Sequence, residues 1–248
     1  MNVRKVALFV EGLAELVFVR EFLLRWYEWD SVKVGFNCYT LHASDQCKES
    51  YSWGGKDSDN YFQILNVGND NKVLSAMLNR SEGFHTAGYT LVVGLRDMFS
   101  QDYTDKTLLK NKKRVIDPEL NDRFIHGAQL AIQAKAKLID IRLHYAIMEV
   151  EAWLLGMPSY MERLQNITDP ETEIYHPAVK LAELRDAEGL TYDKHKEEIE
   201  NIVGNLTKND FLALLHSGRC QSFRTFVETL VGSDLLIEES SLTYNALI

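Results

Sequence analysis

Five acidic residues stand where apolar runs of this chain end. Glu11 closes the run VALFV, and Glu15 follows one helical turn later. Asp97 closes YTLVVGLR, and Glu149 and Glu151 follow IRLHYAI. Two glutamates on one helical face repel by roughly 0.2–0.5 kcal/mol. Carboxylates that converge also raise one another's pKa unless a cation stands among them. Mg²⁺ takes oxygen ligands and keeps several waters, so one or two carboxylates from each element suffice to hold it. The chemistry these residue types could do together is therefore that of a divalent cation. Taken singly, each has a plainer reading. A glutamate near a helix N-terminus is favoured by the helix dipole, and an Asp after a strand caps or turns the chain. Arg96 beside it suits a carboxylate or a phosphate. If Glu149 and Glu151 still lie in a strand they alternate, so only one faces the cluster. The other is then a first-turn helix glutamate.

The elements that must position these acids alternate. Residues 3–10 read as a strand whose apolar end suits burial on both faces, and 13–27 as a helix after the turn at Gly12. Strands are expected at 34–41, 61–67, 89–95 and 141–147. Helices are expected at 69–79 and 126–139, with MEVEAWLL at 148–155 turning from strand to helix. The stretch 49–60, rich in Gly, Ser, Asp and Asn, reads as loop. Beyond about residue 158 only helical patterns appear, at 177–188, 194–206, 209–216 and 222–232, the last stopped by Gly232. Alternation of this kind predicts an α/β fold, a mostly parallel sheet flanked by helices, with a helical C-terminal region. Sites in such folds lie beyond the carboxyl ends of the strands.

The bulk properties narrow the function classes. The 248 residues are 46% hydrophobic and 25% charged, enough for a full core. A net charge of −9 argues against a sequence-independent nucleic-acid coat. It leaves room for a nuclease, whose acidic metal ligands make the site negative. The three cysteines, Cys38, Cys47 and Cys220, form no CxxC pair, so neither a zinc site nor a disulfide framework is expected. The N-terminal apolar stretch is too short for a signal peptide, and no run reaches membrane-span length. A reducing cytoplasm is the default location.

At the acidic strand ends the pattern becomes a familial one. EGLAE at 11–15 resembles the first motif of TOPRIM domains, with the spacing of the OLD family of nucleases. LVVGLRDMF at 91–99 looks like the strand that bears the TOPRIM DxD motif. MEVEAWLLG at 148–156 and SGRCQSFRTFVETL at 217–230 resemble segments of a bacterial family of uncharacterised TOPRIM-like proteins. The resemblance implies a TOPRIM-like (Rossmann-like) domain over residues 1–156 and a helical region over 157–248 packed on it. It implies Mg²⁺ or Mn²⁺ and hydrolysis of a phosphodiester by water. Glu11 would be a ligand or general acid/base, Glu15 and Asp97 would be ligands, and Asp97 would share in catalysis. It further implies a DNA or RNA substrate, and leaves room for a protein partner in a defence or mobile-element system and for a homo-oligomer. The second acid of DxD falls at Phe99. Asp102, Asp105, Glu149 or Glu151 would have to replace it. Without a replacement the expectation shifts to a non-catalytic interaction module. A third reading takes every acid as a cap or surface charge.

Other candidates carry less. The basic run KNKKR at 110–114 suits phosphate contact or a solvated face. Arg219 and Arg224 suit phosphate or the protein's own acids. His144 reads as a core residue, and Trp26 and Trp29 as packing residues. Neither HExxH, GxSxG nor a P-loop is present.

Overall fold

The first strand shows how the sheet divides its side chains. In a computed structural model, β1 (Arg4–Val10) sends Val6, Leu8 and Val10 to one apolar cluster and Ala7 and Phe9 to another. That is the period-two alternation of a strand covered on both faces. The structure describes residues 3–41, 47–107, 109–110, 113–157, 172–192 and 196–232, with 234, 235 and 237.

Next come α1 (Leu13–Trp26), β2 (Val34–Leu41), β3 (Cys47–Trp53), β4 (Asn60–Asn66), α2 (Val73–Thr86) and β5 (Leu91–Asp97). After them follow α3 (Gln101–Lys106), the two-residue strands β6 (Leu109–Lys110) and β7 (Lys113–Arg114), α4 (Pro118–Lys135) and β8 (Asp140–Ala146). The described helices that remain are α5 (Glu151–Leu155), α6 (Pro177–Asp186), α7 (Lys196–Gly204), α8 (Lys208–Ser217) and α9 (Gln221–Val231). The main sheet runs β3-β2-β4-β1-β5-β8. All its neighbours are parallel except β3, which pairs antiparallel with β2 at the edge. The expected α/β class therefore holds.

Helix α1 is buried nearly all round because it lies between the sheet and the C-terminal helices. Phe22 meets Phe211 of α8 edge-on at 5.1 Å, and Trp153 stacks on Phe226 of α9 at 5.4 Å. One apolar cluster thus joins residues on both sides of position 157. Two charged groups are buried within it. Arg20 donates to Glu21 at 2.9 Å and to Glu200 of α7, and its guanidinium lies 4.5 Å over the Tyr51 ring. On the other face α2 packs against β5 at Gly94, where a Cβ would stand 2.3 Å from Met77 Sδ. Only a glycine lets the helix approach that closely.

Three expected boundaries change. The loop expected at 49–60 begins inside β3, an exposed edge strand that needs no apolar alternation. Helix α2 runs on to Thr86 through Gly83, past the expected end at 79. Helix α4 starts eight residues before 126, because Asp117 accepts from Leu120 N at 3.0 Å and Pro118 fits the first turn. No described helix is long and apolar enough to cross a membrane.

Candidate metal centre

The parallel strands all present their carboxyl ends at one edge, and β1 and β5 are adjacent there. The helix after β1 packs on one face of the sheet, whereas α4, after β5, packs with α2 on the other. The gap between these strand ends is therefore the topological switch point, where ligands of such sheets bind. Glu11 and Asp97 stand on its two sides.

Asp97, Glu149 and Glu151 are brought together there. One carboxylate oxygen from each lies within 4.8 Å of the other two, and all three residues are buried. Protein donors hold each acid. Val150 N donates to Asp97 Oδ1 at 3.0 Å, and Ala178 N, in the first turn of α6, donates to Glu149 Oε2 at 3.2 Å. The Tyr192 hydroxyl donates to Glu151 Oε1. The segment after β8 passes a cis Ile147–Met148 peptide and is clamped to the end of β5. Met98 N donates to Ala146 O at 2.9 Å and Phe99 N to Met148 O at 2.8 Å.

This corrects the expectation that only one of Glu149 and Glu151 could face the cluster. Strand β8 ends at Ala146, so strand alternation no longer governs either residue. Glu149 precedes α5 and Glu151 opens it, and both turn to Asp97.

Glu11 and Glu15 stand beside the triad. Asp97 N donates to Glu11 Oε2 at 3.1 Å. A Cβ on Gly12 would come within 3.0 Å of Glu15 Oε2, so the glycine makes room for that carboxylate. Burial first, then the Glu15 charge, pushes the Glu11 carboxyl up to about 7, against the Asp97 N–H bond and Arg96. Arg96 also pairs with Asp70 at 3.3 Å. The bond to Glu151 places the Tyr192 hydroxyl at the triad. Burial, then Glu151, drives its pKa upward.

Several other candidates are resolved by position. Phe99 packs edge-on to Tyr175 at 5.6 Å and to His176 at 4.8 Å. Asp102 pairs with Lys106 and Asp105 accepts from Gln101, both on the exposed face of α3. Neither replaces Phe99 as an acid of the triad. Arg224 pairs with Glu228 at 2.8 Å. Of the basic run, residues 111 and 112 lie outside the described residues, and Arg114 donates to Thr104 O. Trp26 is buried as expected, but Trp29 is 46% exposed, edge-on to Trp53. Tyr192 and the Ala178 amide escaped sequence reasoning. The tyrosine lies in the aperiodic stretch GLTY, and a backbone donor leaves no mark on residue type.

The donor set is oxygen throughout, which suits a hard divalent cation rather than zinc held by nitrogen or sulfur. The triad could hold a metal ion. Comparison of the chain with family models, curated proteins and solved structures returns no match.

Proposed function

We propose that the protein is a Mg²⁺- or Mn²⁺-dependent phosphodiester hydrolase, a nuclease of TOPRIM and OLD type. The observation that carries the reading is the buried triad Asp97, Glu149 and Glu151 at the β1–β5 switch point. Two further acids, Glu11 and Glu15, border it. Asp97, Glu149 and Glu151 would hold the cation, with Glu15 at its margin. When bound, such a cation polarises a phosphoryl oxygen and lowers the pKa of a bound water. Glu11 is placed to take or return a proton at its Oε1 while Oε2 stays on the Asp97 N–H. The N–H groups of Val150 and Ala178 and the Tyr192 hydroxyl fix the carboxylates in place. Glu149 and Glu151 together supply the charge that Phe99 does not. A role in bacterial defence or on a mobile element accompanies the family resemblance.

Phe99 also favours a second reading. Its ring is packed on Tyr175 and His176, as a residue released from metal duty would be. A non-catalytic interaction module would then keep the fold without cutting.

Calorimetry with Mg²⁺ and Mn²⁺, followed by cleavage assays on DNA and RNA, tests both readings. The nuclease requires binding and cleavage that Asp97→Asn and Glu151→Gln both abolish. Metal binding without cleavage would support the module. Absence of binding in the wild type would sink the metal centre.

A further inference from the structure

Between the end of β5 and the start of α4 the chain forms α3 and the antiparallel pair β6–β7. Strand β8 runs parallel to β5, so the chain has to return to the amino edge of the sheet before β8 begins. Helix α4, with 18 residues and so about 27 Å long, makes that return. Helix α3 and the β6–β7 hairpin therefore lie at the carboxyl edge, the edge that carries the acids.

The base of the hairpin is anchored there. The Tyr103 hydroxyl accepts from Asp117 N at 3.0 Å and donates to Asp117 O at 3.4 Å, which joins the two ends of the excursion. Arg114 donates to Thr104 O at 3.2 Å and braces β7 on α3. The Tyr103 ring stands 6.3 Å from that of Tyr175, in the segment that leads to Ala178 and its bond to Glu149. One aromatic contact thus links the base of the hairpin to the supports of the triad.

The charge on the hairpin opposes its own pairing. The register sets Lys110 directly opposite Lys113, and like charges so placed destabilise a strand pair. A two-stranded hairpin has little stability to spare. In a chain of net charge −9, the run KNKKR nevertheless gathers its cations here. The acids that precede the run are engaged within α3, Asp102 with Lys106 and Asp105 with Gln101. A polyanion turns the repulsion into attraction. A phosphodiester chain does so by repeated negative charges, whose neutralisation releases condensed counterions.

We infer that the β6–β7 hairpin grips the backbone of a nucleic acid beside the metal centre, with Lys110 and Lys113 as its phosphate contacts. Phosphate contacts position a strand and carry no sequence information, so the grip serves DNA and RNA alike. The choice of a nucleic acid rests on the nuclease reading, but the grip itself requires no metal.

The test is fluorescence anisotropy of short labelled DNA and RNA single strands with the full chain in EDTA, over a range of KCl concentrations. Lys110→Ala/Lys113→Ala should lower the slope of log affinity against log salt by about 1.4, two contacts at about 0.7 each, and weaken binding about 25-fold at 0.1 M salt. Lys110→Arg/Lys113→Arg should keep both slope and affinity. Lys135→Ala/Lys137→Ala removes the same charge from exposed positions at the far end of α4 and should leave the slope as in the wild type. Absence of binding to either strand overturns the inference, as does binding indifferent to the hairpin pair. Equal loss in both alanine pairs overturns it as well, because total charge would then be the cause. Poly-glutamate that competes as well as DNA, charge for charge, would assign the hairpin to an acidic protein instead. Failure of the nuclease reading shows separately, as strands bound through the hairpin that stay intact when Mg²⁺ is added.

Discussion

Helix α1 borders two clusters of buried charge that are built on opposite principles. Along its middle, Arg20 and Arg25 enclose Glu21, and Arg20 reaches on to Glu200. At its N-terminal end, Glu15 joins Glu11 and the triad beyond it. Backbone N–H groups and a tyrosine hydroxyl are among the donors that hold the acids there. A guanidinium neutralises a carboxylate, whereas an N–H orients it and leaves its charge in place. The first cluster is thus a closed lock between helices. The second is a group of carboxylates aimed toward one another with the help of backbone and hydroxyl donors. The contrast shows that buried charge alone does not mark a site.

Five substitutions break or sharpen the contrast. Arg20→Ala removes the guanidinium that joins Glu21 to Glu200, with Arg25 still pairing with Glu21, and should cost about 3 kcal/mol in denaturant unfolding while leaving metal affinity as in the wild type. A variant as stable as the wild type would remove the lock from the argument. Asp97→Asn and Glu151→Gln should do the reverse. Each should lower Mg²⁺ affinity about a hundredfold, equivalent to about 2.7 kcal/mol, with little loss of stability in EDTA. Strong destabilisation of the metal-free protein would make these acids structural instead.

His144 buries an ionisable group in a third way, with no charge at all. Burial lowers its pKa to about 4 from an ordinary 6.5, and its ring lies edge-on to Phe226. The unfolded chain takes up the proton that the folded chain refuses. The stability it contributes is therefore present above pH 6.5 and is lost as pH falls toward 4. Between pH 7 and pH 5 the loss should be about 2 kcal/mol. It should be absent from His144→Phe, so that the stability difference between wild type and variant, measured at each pH, carries it. The smallest effect belongs to Tyr192→Phe, which removes one hydroxyl donor to Glu151. Metal affinity should fall about tenfold with the fold intact. No change would mean that Glu151 is oriented by other contacts.

Much of the architecture was legible because burial writes a period into the chain. The strands at 4–10, 34–41 and 60–66 match their apolar runs to within a residue or two. Strand β3 was not legible, since an exposed edge carries polar residues that read as loop. The start of α4 was written in Asp117-Pro118, yet the polar stretch around it masked the signal. Of the site, all five acids stood out by their place at the ends of apolar runs. Their convergence on one edge followed from a parallel sheet, but which of them close on one another did not: mutual approach within 4.8 Å belongs to Asp97, Glu149 and Glu151. Sequence gives strand order no voice, and the turn after β8 decides where both glutamates point.

Two of the groups that orient the acids, Ala178 N and the Tyr192 hydroxyl, come from the C-terminal region. During synthesis, Glu11 leaves the ribosome about 180 residues ahead of Tyr192. At 5–20 residues per second that interval is on the order of ten to forty seconds. Throughout it, the strands that carry Glu11 and Asp97 can pair while the acids lack their final supports. The centre is finished last, so a nascent or truncated chain carries the acids without the arrangement that could put them to use.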